Sequence, residues 1–172
     1  MRLLSVALAA ALVSAPALAQ QPGHSAPECT AMDASLPAGL EDWNGGAPLV
    51  TASAADKAAT LTLGKGYQAS LLKRDTVAFL VEPEKPGGSV SYSGVFAFTL
   101  EESGDYTVAL NTAAWIDVVE DGKAVEPLSF GRGPECTTIR KMVVYPLKAG
   151  RHVLQIAGNG TETAKLLVVK RP

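Results

Sequence analysis

The chain has few of the side chains that bind metals or act as nucleophiles in enzymes. It contains only two histidines, His24 and His152, and two cysteines, Cys29 and Cys136, among 172 residues. The sequence has no G-x-S-x-G elbow, no H-E-x-x-H pair and no P-loop. No recognisable catalytic constellation remains, so we expect a protein that is not an enzyme and that uses no cofactor.

Long apolar runs are also absent, apart from one short run at the N-terminus. Arg2 precedes an apolar stretch over 3–13, and Ala17-Leu18-Ala19 forms a small-x-small cleavage site. A membrane span needs about 20 apolar residues, so this stretch is too short to cross a bilayer. The pattern is typical of a secretory signal peptide over 1–19. We therefore expect a periplasmic or secreted protein that begins near Gln20 and does not span the membrane.

Excess charge of either sign is small. The formal net charge is −2, and removal of Arg2 with the leader makes it −3. Nucleic-acid-binding domains usually carry a basic patch, and anionic membrane surfaces attract basic proteins. We expect neither nucleic acid nor an anionic membrane surface as a partner.

The two cysteines lie in identical local settings, within the tetrapeptide PECT at 27–30 and again at 134–137. An even number of cysteines in an exported chain favours a disulfide, and here only one intramolecular pairing exists. The alternative is a metal site that combines Cys29 and Cys136 with His24 and His152. Closed zinc sites usually draw on closely spaced pairs such as C-x2-C, which this chain lacks. We predict a Cys29–Cys136 disulfide and no metal.

After about residue 48 the residue pattern changes from irregular to strand-like. Residues 20–48 are rich in Pro, Gly, Ala and Ser and predict an irregular arm, while 49–172 show short two-residue alternations separated by turns. Asp121-Gly122 is a strong hairpin signal. The predicted strands are 59–63, 67–72, 76–81, 89–100, 106–110, 115–120, 139–147, 151–157 and 165–170. We predict an all-β fold, an antiparallel, jelly-roll-like β-sandwich, because crossover helices for a parallel sheet are missing.

Two resemblances follow from longer stretches of this pattern. The segment GDYTVALNTAAWIDVVEDGKAV at 104–125, followed by YPLKAGRHVLQIAG at 145–158, resembles the ending of carbohydrate-binding-module and PA14-like sandwiches. The stretches SYSGVFAF, AWIDVV and GPECTTIRKMV resemble a family of small exported proteobacterial β-sandwich proteins, some of which carry a homogentisate 1,2-dioxygenase label. Non-haem iron commonly takes two histidines and a carboxylate. His24 in the arm and His152 at a strand start do not support that activity.

One strand carries residues that suggest a binding site. Trp115 and Asp117 are two positions apart, so they point to the same face of a strand. A tryptophan beside a carboxylate can stack on a sugar ring and accept its hydroxyls. The alternative is that Trp115 packs in the core, where most tryptophans are largely buried. Arg140, which can bind an acidic sugar or phosphate through its guanidinium fork, and Tyr145 are further candidates.

We therefore expect an exported, non-catalytic module that binds a glycan or another component of the cell envelope. The competing hypothesis is a structural or protein-interaction sandwich without a small ligand, and an enzyme is the least favoured. An exposed Trp115 favours the first hypothesis, and a buried one favours the second.

The leader makes a prediction about the mature chain. Protein recovered from the cell envelope should have an intact mass that corresponds to a start at or near Gln20. A mass that retains residues 1–19 would show that the leader is not removed.

Overall fold

The computed structural model describes residues 28–171, so the predicted signal peptide and the first residues of the arm lie outside the described part. Within that range the fold is all-β, as the sequence predicts. Its strands are β1 Ala47–Val50, β2 Ala59–Thr60, β3 Tyr67–Ser70, β4 Leu72–Lys73, β5 Tyr92–Leu100, β6 Gly104–Leu110, β7 Trp115–Glu120, β8 Lys123–Ala124, β9 Ser129–Gly131, β10 Lys141–Leu147, β11 Gly150–Asn159 and β12 Thr163–Lys170. Short 3-10 helices occupy Glu41–Asn44, Ala55–Lys57 and Arg74–Thr76.

The strands form two sheets that pack face to face. Sheet A has the order β1-β3-β12-β6-β10-β9, and sheet B has the order β2-β5-β11-β7-β8, with β4 also paired to β5. From β5 to β7, and again from β10 to β12, successive strands alternate between the two sheets. A jelly roll also distributes its strands over two sheets. The jelly-roll description stays a prediction that this strand order supports.

Two strand pairs correct the expectation of a purely antiparallel sandwich. β1 runs parallel to β3, and β2 runs parallel to β5. The lack of crossover helices in the sequence predicts that parallel pairs are absent. Here the crossovers are made differently: the chain leaves β1 in sheet A, passes through β2 in sheet B and returns to β3. The connection between the parallel strands β1 and β3 therefore runs through a strand of the opposite sheet and not through a helix.

The central core lies between the sheets and follows the two-residue alternation. In β6, Tyr106, Val108 and Leu110 point inward, as their spacing predicts. In β5 the inward residues include Phe96 and Phe98. All five side chains are at most 2% exposed. Burial of one such side chain stabilises a fold by roughly 1.5–3 kcal/mol, so this layer fixes the register of both sheets.

The N-terminal arm covers the outer face of sheet A. Leu40 and Trp43 of the arm pack on Ala109, Leu167 and Val169, which point away from the central core. Trp43 is 1% exposed, so its ring attaches the arm to the sheet. Within residues 28–46 the arm contains no strand, and β1 begins at Ala47.

The arm is also held by covalent and polar contacts around Cys136. Cys29 and Cys136 form the predicted disulfide, with their Cα atoms 5.3 Å apart. Asp33 accepts hydrogen bonds from the Thr138 amide and hydroxyl, both at 2.6 Å, and the Asp33 amide donates to the Cys136 carbonyl. The indole of Trp43 donates to the Thr138 hydroxyl at 2.9 Å. The second PECT repeat and the threonine after it therefore form the docking point of the arm.

The predicted strand over 76–81 is wrong. Thr76 ends the 3-10 helix Arg74–Thr76, and residues 77–81 lie on the outer face of sheet B without helix or strand, where Val77, Phe79 and Val81 pack against side chains of the sheet. A side chain takes the place of the backbone hydrogen bonds that a neighbouring strand would make. Gln155 accepts from the amides of Leu80 and Val81, at 2.7 and 3.3 Å, and donates to the Val81 carbonyl at 2.9 Å. The apolar residues of this segment, which have a high strand propensity, cover the outer face of sheet B. The Gln155 side chain bonds the backbone of Leu80 and Val81, so these two residues need no neighbouring strand.

The disulfide makes a testable prediction about the arm. Replacement of both cysteines, Cys29→Ser with Cys136→Ser, should lower the free energy of unfolding by up to about 4–5 kcal/mol, because a loop of this length then gains entropy in the unfolded chain. Hydrogen exchange should rise first over 28–46, because only Leu36, Leu40 and Trp43 of this segment make apolar contacts with the sheet. Ser35→Ala, an exposed change in the same arm, serves as the control. A uniform rise of exchange across both sheets would show that the arm does not loosen independently.

Candidate functional site

A cavity opens along the edge of β7, and it exists because the neighbouring strand is short. β8 pairs only with Val119 and Glu120 of β7. No strand of the described chain lies beside β7 over 115–117 on that side. Tyr145, which reaches across from β10 in sheet A, donates its hydroxyl to the Ile116 carbonyl at 2.9 Å. A side chain thus satisfies this backbone carbonyl while the rest of the edge stays open.

We call this opening the edge cavity. Its volume is about 850 Å³, within the range of roughly 300–1,000 Å³ that is usual for ligand sites. It mixes aromatic, aliphatic and charged groups. The side chains that give the cavity this mixed lining include Glu84, Lys85, Trp115, Asp117, Glu126, Phe130, Lys141 and Tyr145.

Trp115 and Asp117 meet on the outer face of sheet B, as strand alternation predicts. The Trp115 indole donates to Asp117 Oδ1 at 2.9 Å. Trp115 is half-buried and belongs to none of the apolar clusters of the described chain. Its partner on β11 is the small residue Ala157, which leaves room beside the ring. Trp115 is therefore a wall of the edge cavity and not part of the core.

Asp117 has one carboxylate oxygen engaged and one free. Oδ2 is buried and has no hydrogen-bond partner among residues 28–171. Burial raises the pKa of Asp117 and the nearby charge of Glu84 raises it further, while the Trp115 hydrogen bond and Lys141 lower it, so that the net shift is upward. A buried acceptor without a partner costs about 1–3 kcal/mol. A ligand that donates to Oδ2 would recover part of that cost.

Two lysines lie against the Trp115 ring. Lys85 Nζ is 5.2 Å from the ring centroid and Lys141 Nζ is 5.4 Å from it, both within the range of a cation–π contact. Lys141 also donates to the Ala114 carbonyl at 2.8 Å. Burial lowers the pKa of Lys141, and the positive charge of Lys85 lowers it further.

Of the two further candidates, Tyr145 lines the edge cavity and Arg140 does not. Tyr145 is buried, and burial raises the pKa of its hydroxyl, with Asp117 and Glu126 adding to the rise. It stays neutral and holds the edge of β7, so its role is mainly to position that edge. Arg140 is exposed and lines a separate, smaller cavity of about 340 Å³.

The two cavities are neighbours. Ala113 and Gly158 line both of them. The structure therefore brings Trp115, Asp117 and Tyr145 into one site and places Arg140 in an adjacent one.

The sequence interpretation missed the residues that the loop over 82–87 contributes. That loop approaches β11 closely at Gly87 and Gly158, where an added Cβ on Gly87 would clash with the Gly158 backbone, and both glycines have positive φ angles. This contact brings Glu84 and Lys85 to the edge cavity. The only sequence signal is the charged pair Glu84-Lys85 inside a Pro- and Gly-rich turn segment, and this pair does not show where the loop lies.

The alternative metal site is not assembled in the part of the chain that the structure describes. Between residues 28 and 171, no group of three or more His, Cys, Asp or Glu side chains is placed to hold a metal ion. Both cysteines are in the disulfide. His152 is buried, and its Nε2 donates to the Lys148 carbonyl at 2.9 Å. His24 lies outside the described residues.

No protein-family model matches this chain, and no curated protein matches it either. The resemblances drawn from the sequence therefore stay predictions. Across residues 28–171, the structure contains no helix with the length and apolar character to cross a membrane.

The raised pKa of Asp117 predicts a pH-dependent effect on stability. Because the folded state disfavours the ionised carboxylate, the charged form destabilises the fold above the raised pKa. Asp117→Asn should therefore increase the free energy of unfolding at neutral pH, since Asn still accepts from Trp115. The gain should shrink as the pH falls through the folded pKa and disappear below 3.8, the ordinary value for the unfolded chain.

Urea unfolding from acid to neutral pH measures this effect. Asp56→Asn, which changes an exposed carboxylate outside the cavity, is the matched control. A loss of stability at neutral pH in the Asp117 variant would show that the fold needs the ionised carboxylate.

Proposed function

We propose that this protein is an exported, non-catalytic binding module that binds a glycan of the cell envelope in the edge cavity. The observation that carries the proposal is the half-buried Trp115 beside a carboxylate oxygen of Asp117 that is buried and unpartnered. An aromatic ring and an adjacent acceptor are what a sugar needs, because its C–H face is apolar and its rim carries hydroxyl donors.

The position of the cavity also supports binding. A core tryptophan would be enclosed like Trp43, which is 1% exposed. Trp115 instead lies where β7 has no neighbouring strand, so a ligand can reach both the ring and the strand edge. Aromatic side chains bury a large apolar area at a low cost in side-chain entropy. An extended polymer such as a glycan chain could continue from this cavity toward the one that Arg140 lines.

Export is supported by the disulfide. Disulfides form and persist in oxidising compartments and are rare in the cytosol of most organisms. The Cys29–Cys136 bond closes a separation of 107 residues and fixes the arm to sheet A. Together with the leader, this bond favours the periplasm or the cell exterior as the place where the protein works.

A second candidate, a protein-interaction domain, is favoured by the exposed edge of sheet A. β9 pairs with β10 on one side only. Phe130 of this strand is 79% exposed, and the preceding Leu128 is 55% exposed. An open edge with exposed apolar side chains can accept a strand from a partner.

The test is binding by the mature protein to envelope polysaccharides and cell-wall fragments. Trp115→Ala should abolish most of the binding. Its free energy of unfolding should fall by less than the ~3–5 kcal/mol that truncation of a core tryptophan costs, because Trp115 lies outside the apolar clusters.

Tyr92→Ala is the matched control, since Tyr92 is also half-buried with a lysine over its ring, Lys73 at 4.1 Å, but does not line the cavity. This variant should bind like the wild type. Binding that survives Trp115→Ala, or no binding of any glycan, would contradict the proposal. Shortening of the glycan during incubation would contradict its non-catalytic part.

A further inference from the structure

The charges of the edge cavity indicate which kind of sugar it takes. Four carboxylates and two ammonium groups line it: Glu82, Glu84, Asp117, Glu126, Lys85 and Lys141. Glu82 is neutralised by Arg74, with 2.8 Å between the charged atoms. The other three carboxylates make no ion pair within 4.0 Å in the described chain. Acidic charge therefore exceeds basic charge at the site.

The Trp115 ring already acts as a site for cations, and its two occupants are held differently. Lys141 is fixed by its hydrogen bond to the Ala114 carbonyl. Lys85 is exposed on an irregular loop, and its ammonium group makes no hydrogen bond or ion pair with other residues between 28 and 171 beyond the ring contact. A ligand that displaces Lys85 from the Trp115 ring therefore breaks only this cation–π contact.

Resting on the proposed glycan-binding function, we propose that the edge cavity selects sugars with a protonated amine, and that Lys85 occupies the place of that amine in the unliganded protein. The ligand amine takes the place of the Lys85 ammonium over the Trp115 ring, in a cavity that Glu84, Asp117 and Glu126 also line. One cation replaces another at the ring, and the excess of carboxylates favours a positively charged ligand over a neutral or an acidic one.

An acidic sugar fits this site less well. Its carboxylate would lie among Glu84, Asp117 and Glu126, and like charges in a partly buried site repel one another. Arg140, which could bind an acidic group, lines the neighbouring cavity. An N-acetylated sugar has the same ring but no positive charge, so it isolates the contribution of the amine.

Calorimetric titration with three oligosaccharides of equal length tests this inference: glucosamine, N-acetylglucosamine and galacturonic acid oligomers. The pH is set between the pKa of Asp117 and that of the sugar amine. The wild type should bind the glucosamine oligomer most tightly. Lys85→Ala should bind it about two- to fivefold more tightly, the factor that removal of a competing exposed cation–π contact implies.

Lys65→Ala is the matched control for Lys85→Ala. It removes the same charge from an exposed lysine that lies over another ring, Tyr67 at 5.7 Å, and it leaves the cavity lining intact. Its affinity for the glucosamine oligomer should equal that of the wild type. An equal gain in both lysine variants would show that only the net charge matters and would overturn the role of Lys85.

The outcomes separate this inference from the proposed function. If the N-acetylated or the acidic oligomer binds as tightly as the amino sugar and Trp115→Ala abolishes that binding, the glycan-binding function stands and the amine preference is overturned. If none of these oligomers and no envelope polysaccharide binds, both are overturned. Preference for the amino sugar, loss on Trp115→Ala and a gain specific to Lys85→Ala would together support the inference.

Discussion

Both sheets of this protein are apolar on both faces, and the rest of the structure follows from the need to cover the outer ones. A sandwich alone would hide only the central core and would leave Leu167 and Val169 of sheet A, and Val95 and Val153 of sheet B, in contact with water. Contiguous apolar patches of that kind are unfavourable on a monomer surface. The arm covers one face, and the segment around Val77 covers the other.

The two coverings are attached by different means, because neither is a strand of the sheet on which it lies. The arm is fastened by the disulfide and by the side chains that meet at Thr138. The segment on sheet B is fastened by Gln155, whose amide replaces the backbone partners that a neighbouring strand would offer. Buried backbone groups must be paired in either case. On sheet B the Gln155 side chain supplies that pairing. On sheet A the disulfide attaches the arm to the loop that contains Cys136.

The edge cavity lies where the covering of sheet B ends. The loop that follows Val81 contacts β11 at Gly87, and β8 is too short to pair with the first residues of β7. Trp115 and Asp117 are therefore neither packed in a core nor fully in water. Partial burial leaves one oxygen of Asp117 without a partner and raises its pKa, and it leaves the indole open to a ligand. The proposed binding chemistry depends on this incomplete covering.

The sequence by itself determined the all-β class, the disulfide and the paired direction of Trp115 and Asp117. Each of these rests on local rules: the two-residue period of a strand places positions 115 and 117 on one face, and two cysteines allow only one intramolecular bond. The sequence does not distinguish an apolar run that forms a strand from one that packs over a sheet. The strand predicted over 76–81 is wrong for this reason.

Only the tertiary structure decided which outer-face residues stay open to a ligand. Trp43 and Trp115 are the same residue type, yet one is enclosed by the arm and the other lines a cavity. The difference comes from what each ring contacts: Trp43 packs between the arm and sheet A, whereas Trp115 faces a cavity with two lysine side chains over its ring. The approach of Lys85 to Trp115, and the separation of Arg140 from both, depend on contacts between residues far apart in the chain, which no local pattern encodes.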